Sequence, residues 1–118
     1  MTYDPEVNRR REARIKSRRP IKKALIKLGA KETNDPLILT IPNTSISKAY
    51  GIIWFDNGQT YVRWSNLGPK YAEKLINEVL DLKPGSLPAG NPLRRELVKG
   101  IIKGQIEVDE FYKTILQK

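Results

Sequence analysis

The chain has 118 residues, 39% of them hydrophobic, and carries a formal net charge of +9 from 22 Lys/Arg against 13 Asp/Glu. It contains neither cysteine nor histidine, which excludes disulfides, thiolate or imidazole metal sites, and catalysis of the Ser-His-Asp or Cys-His kind. The length suits one folding unit with an appendage. No apolar run approaches the roughly 18–20 residues that span a bilayer, and the charged start lacks the apolar segment of a secretory signal, so the expected location is cytoplasmic.

The charge is unevenly placed. Residues 1–31 hold 11 Lys/Arg against three acids, a net of +8, whereas residues 32–118 hold 11 against 10, a net of +1. A near-neutral body with a basic arm points to a folded module tethered by one end to something anionic.

In chain order, residues 5–19 (PEVNRRREARIKSRR) contain good helix formers but a weak core face. As a helix they align Arg10, Arg14 and Arg18 on one stripe, with Arg11 one step away. Such a segment repels itself, so residues 1–19 are expected to be a flexible reach whose removal leaves the fold intact. Pro20 suits the first turn of a new helix over 20–29, with Ile21, Leu25 and Leu28 as its apolar seam, Ala24 beside it, and Gly29 as its stop. Lys22, Lys23 and Lys27 lie off that seam.

Asn34-Asp35-Pro36 is a turn signal. Residues 37–41 (LILTI) read as a short strand, and 42–47 as a polar connection. Asn57-Gly58 then predicts a two-residue hairpin closed by Asp56 and Gln59, because a type I′ turn needs positive φ at both central positions. That register sets Phe55 opposite Thr60, Trp54 opposite Tyr61, Ile53 opposite Val62, Ile52 opposite Arg63, and Gly51 opposite Trp64. The pleat sorts Phe55, Ile53, Val62 and Trp64 onto an expected core face, and Tyr50, Ile52, Trp54, Tyr61 and Arg63 onto the other.

Pro69 opens a helix over 69–82, with Ala72, Leu75, Ile76, Val79 and Leu82 on one side and Tyr71 at its edge. Residues 83–92 (KPGSLPAGNP) read as a semi-rigid linker. Residues 93–118 read as a helical hairpin: Pro92 opens the first helix, Leu93, Leu97 and Ile101 align on it, Gly104 ends it, and Asp109 caps the second. The expected fold is α+β. It comprises a small antiparallel β-meander of about three strands packed by helices, a basic arm over 1–31, a meander-plus-helix over 32–82, and the hairpin, all in one folding unit.

Function is argued from two surfaces. Seven of the arm's cations fall between Arg9 and Arg19 (Arg9, Arg10, Arg11, Arg14, Lys16, Arg18, Arg19), a density beyond what solubility requires; with Lys22, Lys23 and Lys27 they suit phosphate contact. Trp54, Tyr61 and Arg63 suit stacking on unpaired bases, although a sheet sandwiched by helices would use the same rings as packing, the more economical reading. The C-terminal helix begins Asp109-Glu110, which repels DNA and argues against a recognition helix. No Walker loop, dinucleotide fingerprint, paired carboxylates or two-metal spacing is present, and neither an enzyme nor a cofactor is expected.

The expectation is a small non-catalytic nucleic-acid-binding protein, DNA placed ahead of RNA, of a regulatory or accessory kind. The alternative is a protein-binding adaptor or inhibitor that uses the aromatic sheet face and the C-terminal hairpin, with the arm on an acidic partner. No membrane partner is expected, and exchange of the hairpin between protomers is a route to a homo-oligomer.

Overall fold

Between Pro5 and Pro20 the chain runs without a proline or glycine, and the helix that begins there does not stop at Pro20. The computed structural model describes residues 5–42 and 52–116. In it α1 is one helix, Pro5–Lys27, about 35 Å long from the rise per residue. Local pairs support its exposed start: Glu6 meets Arg9 at 3.3 Å and Arg10 at 3.6 Å, and Asn8 donates to Glu12 at 3.3 Å. Such pairs contribute a few tenths of a kcal/mol each, about 0.2–0.5.

The expected division at Pro20 into a flexible reach and a docked helix is therefore corrected. Pro20 lies inside the helix. It removes one backbone hydrogen bond, at a cost of about 3 kcal/mol in a helix interior. Docking on both sides of it offsets that cost: Ile15 packs against the core before it, and Ile21, Ala24, Leu25 and Leu28 are buried after it. The helix ends as a Schellman motif. Gly29 takes φ 109°, its N–H donates to Ile26 O at 3.0 Å, and the Ala30 N–H donates to Leu25 O at 2.9 Å. The positive φ there favours glycine.

Four strands follow: β1 (Lys31–Glu32), β2 (Ile38–Ile41), β3 (Ile53–Asp56) and β4 (Gln59–Arg63). They form one antiparallel sheet in the order β1-β2-β4-β3. Two expectations change. The count is four rather than about three, because the two-residue strand β1 pairs with β2, Lys31 opposite Thr40. The sheet is also not a meander: β4 pairs with both β2 and β3, so β3 lies at the far edge. β3 and β4 set Asp56 opposite Gln59, Trp54 opposite Tyr61 and Ile53 opposite Val62, with Asn57 at φ 54° and Gly58 at φ 79° between them. Tyr50, Gly51 and most of the 42–47 connection lie outside the described residues.

One sheet face is core. Leu39, Ile41, Ile53 and Val62 are buried there, as is Trp64 just after β4. Trp64 donates its indole N–H to Pro36 O at 3.0 Å, so its polar edge is satisfied inside. Phe55, expected in the same set, is corrected: it is 48% exposed. It stands next to the hairpin turn on an edge strand, beyond the buried Ile53. The opposite face, with Trp54, Tyr61 and Arg63, is half-buried.

Helix α2 (Pro69–Asp81) buries Ala72, Leu75, Ile76, Val79 and Leu80. This stripe follows the i, i+3, i+4, i+7, i+8 pattern of a core-facing helix. Leu82, expected on it, falls off the stripe at the C-cap and is 58% exposed. The Pro/Gly stretch 83–91 does not act as a spacer. Leu87 is buried and its N–H donates to Ile115 O at 2.9 Å. Ser86 donates to Leu80 O at 2.7 Å and forms a β-bridge with Leu116.

Helix α3 (Pro92–Ile102) starts on Asn91, whose side chain accepts the Leu93 N–H at 2.8 Å. Its buried face is rotated from the expected one: Leu93 is 50% exposed, and Arg94, at 1% exposure, lies inside with Leu97, Val98 and Ile101. Gly100 lets the helix backbone approach Ile106, whose side chain would overlap a Cβ at that position. Helix α4 (Val108–Ile115) takes Glu107, not Asp109, as its N-cap. Phe111 and Ile115 carry it into the common core, which also holds side chains of α1, the sheet, α2 and α3. The architecture is a small α+β unit of four helices and a four-stranded antiparallel sheet.

Candidate functional site

The arm's cations do not form one patch. Because α1 lies along the body from Ile15 onward, its rotation sends successive residues to different neighbours. Arg9, Arg10 and Lys16 point to solvent. Arg11 and Arg14 turn toward the end of β4, where they line a cleft of about 220 Å³ with Ile15, Leu37, Arg63, Ser65 and Asn66. Arg63 is held from the other side by the sheet: its guanidinium carbon lies 6.0 Å from the Trp54 ring centroid. Trp54 in turn stacks on Tyr61, at 5.7 Å between centroids and 16° between planes. Cation–π contact of this kind is worth about 0.5–2 kcal/mol according to exposure and fixes the orientation of the cation.

The structure thus joins the two surfaces that the sequence presents separately. Arg63 belongs to both, to the aromatic row on β4 and to the Arg11/Arg14 cleft. Among the described residues no carboxylate lines that cleft. Ser65 and Asn66 add a hydroxyl and an amide. Neither is legible as a site residue from sequence, because only the 3₁₀ turn at Trp64–Asn66 brings them beside α1.

Other expected site residues go elsewhere. Arg18 is half-buried on a different side of α1, in a pocket lined by Ser17, Pro69, Glu73, Lys99, Ile102 and Lys103. Its Nη1 donates to the Ser17 hydroxyl at 3.2 Å, while its buried Nε has no partner among the described residues. Arg19, Lys22 and Lys23 border a groove with Trp64 and Leu37. Lys22 is engaged there, 3.2 Å from Glu32 and 5.3 Å from the Trp64 ring centroid. Arg94 is an internal clamp. It donates to Asn77 Oδ1, Leu87 O, Asn77 O and Asp81 Oδ1 at 2.7–3.0 Å.

Lys27 is likewise engaged, 2.8 Å from Asp109 on α4. The hydrogen bond from Lys27, with its charge, holds the Asp109 carboxyl below the usual carboxylate range. The same contact, with the Asp109 charge, holds the Lys27 ammonium above the usual lysine range. Both groups are exposed, so solvent screens the pair and its contribution to stability is small. The part assigned to Asp109 is present above the unfolded carboxyl pKa, about 3.9, and is lost as pH falls through its lowered folded value. The part assigned to Lys27 is present below the unfolded lysine pKa, about 10.4, and is lost as pH rises through its raised folded value. Carboxyl NMR titration of Lys27→Gln should move the Asp109 midpoint back up toward the ordinary range; an unchanged midpoint would show that the pair does not form in solution.

Among the described residues no group of three or more Asp/Glu clusters as a metal site, and no helix is long and apolar enough to cross a membrane. Comparison of the chain with protein-family models finds no matching family, and comparison with curated proteins and with solved structures finds no match.

Proposed function

We propose that the protein is a small non-catalytic nucleic-acid-binding protein of a regulatory or accessory kind. Helix α1 supplies its phosphate contacts. The observation that carries this reading is the convergence of Arg11 and Arg14 with Arg63 in a cleft that no carboxylate lines among the described residues, beside a helix whose outer face exposes Arg9, Arg10 and Lys16. Arginine forks match phosphate oxygens, and each neutralised phosphate releases counterions. Lys27 is in an exposed ion pair, weak enough for a phosphate to displace the carboxylate, and half-buried Lys22 pairs with the exposed Glu32. DNA is the first ligand to test, with RNA beside it.

The adaptor reading loses one of its two surfaces, because the apolar side of the C-terminal hairpin is spent in the core: Leu97, Val98, Ile101, Phe111 and Ile115 are buried. The aromatic sheet face stays open to it.

The test is salt dependence. The logarithm of the association constant should fall linearly with the logarithm of salt concentration, with a slope of about 0.9 per duplex phosphate contacted. Substituting Arg9, Arg10 and Lys16 together by Gln should lower that slope while leaving the thermal midpoint unchanged. Truncating residues 1–19 is not equivalent, because it also removes Ile15, which packs against the core. Absence of any retention on DNA or RNA at low salt would end the nucleic-acid reading.

A further inference from the structure

The cleft between α1 and the end of β4 has a charge that says more about its ligand than the arm alone does. Three guanidiniums, Arg11, Arg14 and Arg63, border a space of about 220 Å³ with no acid among the lining residues. An internal phosphodiester carries a single negative charge, so it would leave this cleft with a clear excess of positive charge. A phosphomonoester carries about −1.5 to −2 at pH 7 and has three strong acceptor oxygens. It matches the cleft in charge and in the number of bidentate donors. The space is also small, on the scale of one phosphate group rather than of a run of backbone.

Arg63 is the residue that makes the cleft specific. Arg11 and Arg14 sit on an exposed helix face, but Arg63 comes from the sheet and is oriented by the Trp54 ring at 6.0 Å. Tyr61 also lies against that ring. The indole is therefore engaged by its own neighbours, which makes it a support for Arg63. Ser65 and Asn66 from the following turn also line the cleft.

Resting on the nucleic-acid reading above, we infer that this cleft binds the terminal phosphate of a nucleic-acid strand. The outer cations of α1 then follow the diester backbone inward from that end. The protein would distinguish a phosphorylated strand end from a hydroxyl end, while its weaker backbone binding tolerates either.

The experiment compares single-stranded oligonucleotides of one sequence that differ only in a terminal phosphate, at the 5′ or the 3′ end, against the hydroxyl-ended strand. Fluorescence anisotropy at fixed ionic strength reads the affinities. One of the two phosphorylated strands should bind about tenfold tighter than the hydroxyl-ended one, equivalent to about 1.4 kcal/mol. Arg63→Gln, and independently Arg14→Gln, should reduce that preference to within about twofold without weakening the hydroxyl-ended strand in proportion. The preference should fade as pH drops below about 6, where the monoester loses its second charge.

Equal binding of all three strands overturns the inference and leaves the nucleic-acid reading standing. No binding of any strand at low salt overturns both. Competition by inorganic phosphate or by a phosphoserine peptide as strong as by the phosphorylated strand also overturns it, in favour of a free-anion or phosphoprotein site. Circular dichroism and the thermal midpoint of both variants establish that the lost preference is not lost fold. Unchanged preference in two folded variants overturns the assignment.

Discussion

Arg94→Met is expected to cost about 2–4 kcal/mol of folding stability, more than any charge removed from the arm. The side chain is buried at 1% exposure, and its fork ties α3 to two other segments. It donates to the side chain and carbonyl of Asn77 on α2, to Asp81 at the end of α2, and to the Leu87 carbonyl within the Pro/Gly stretch. Removing it leaves the buried Leu87 carbonyl and the half-buried Asn77 groups without their donor, and each buried orphan costs about 1–3 kcal/mol. The ion pair itself is not the main contribution. Asp81 is 55% exposed and is rehydrated when Arg94 leaves, so Asp81→Asn should cost no more than about 1 kcal/mol. Arg94→Lys should be nearly as damaging as Met, because one ammonium on a flexible stem cannot reproduce the planar fork. Urea denaturation of the three variants checks this. A stable Arg94→Lys would show that charge alone, not fork geometry, is what the site requires.

Phe111→Ala is the second large effect, about 3–5 kcal/mol from lost burial and the cavity left behind. Phe111 has no exposed surface and belongs to the same cluster as Leu25 on α1, Leu75 on α2 and Leu97 on α3. Helix α4 is further tied by Leu87 N–H to Ile115 O at 2.9 Å and by the Ser86–Leu116 bridge. The loss should therefore appear as one cooperative transition, with helical circular dichroism and Trp64 fluorescence changing together. If fluorescence around Trp64 stays native while helix content falls, the C-terminal hairpin is a separate, exchangeable piece.

The hairpin around Asn57-Gly58 shows what a local signal can carry. Positive φ at both turn residues is demanded by the turn itself, and the register Ile53↔Val62 follows from it. The stripes of α2 and α4 are similarly legible, because helical period alone places Ala72, Leu75, Ile76 and Val79, or Phe111 and Ile115, on one side. Errors arise where a choice is made between faces or between partners. Leu93 and Arg94 are adjacent and both have long apolar stems. Composition favours Leu inside, but only the presence of four acceptors at the right distance makes the arginine the buried one. Pro20 is a helix breaker by local rule, yet contacts on both sides of it carry α1 through. Lys27 and Asp109, remote in sequence, read as a phosphate ligand and a helix cap until the docking of α4 on α1 makes them partners.

For the candidate site the division is the same. Sequence by itself determined the chemistry available: a +8 segment at one end, no histidine or cysteine, and an aromatic hairpin with one arginine. These depend on composition and on neighbours within a few residues, so no fold is needed to read them. Tertiary structure alone decided which charges meet. Arg11 and Arg14 are brought to Arg63 because Ile15 docks α1 along the body, while Arg94 is withdrawn into the interior. The physical reason is that a cation's role depends on what faces it, and the side chains facing it come from distant parts of the chain.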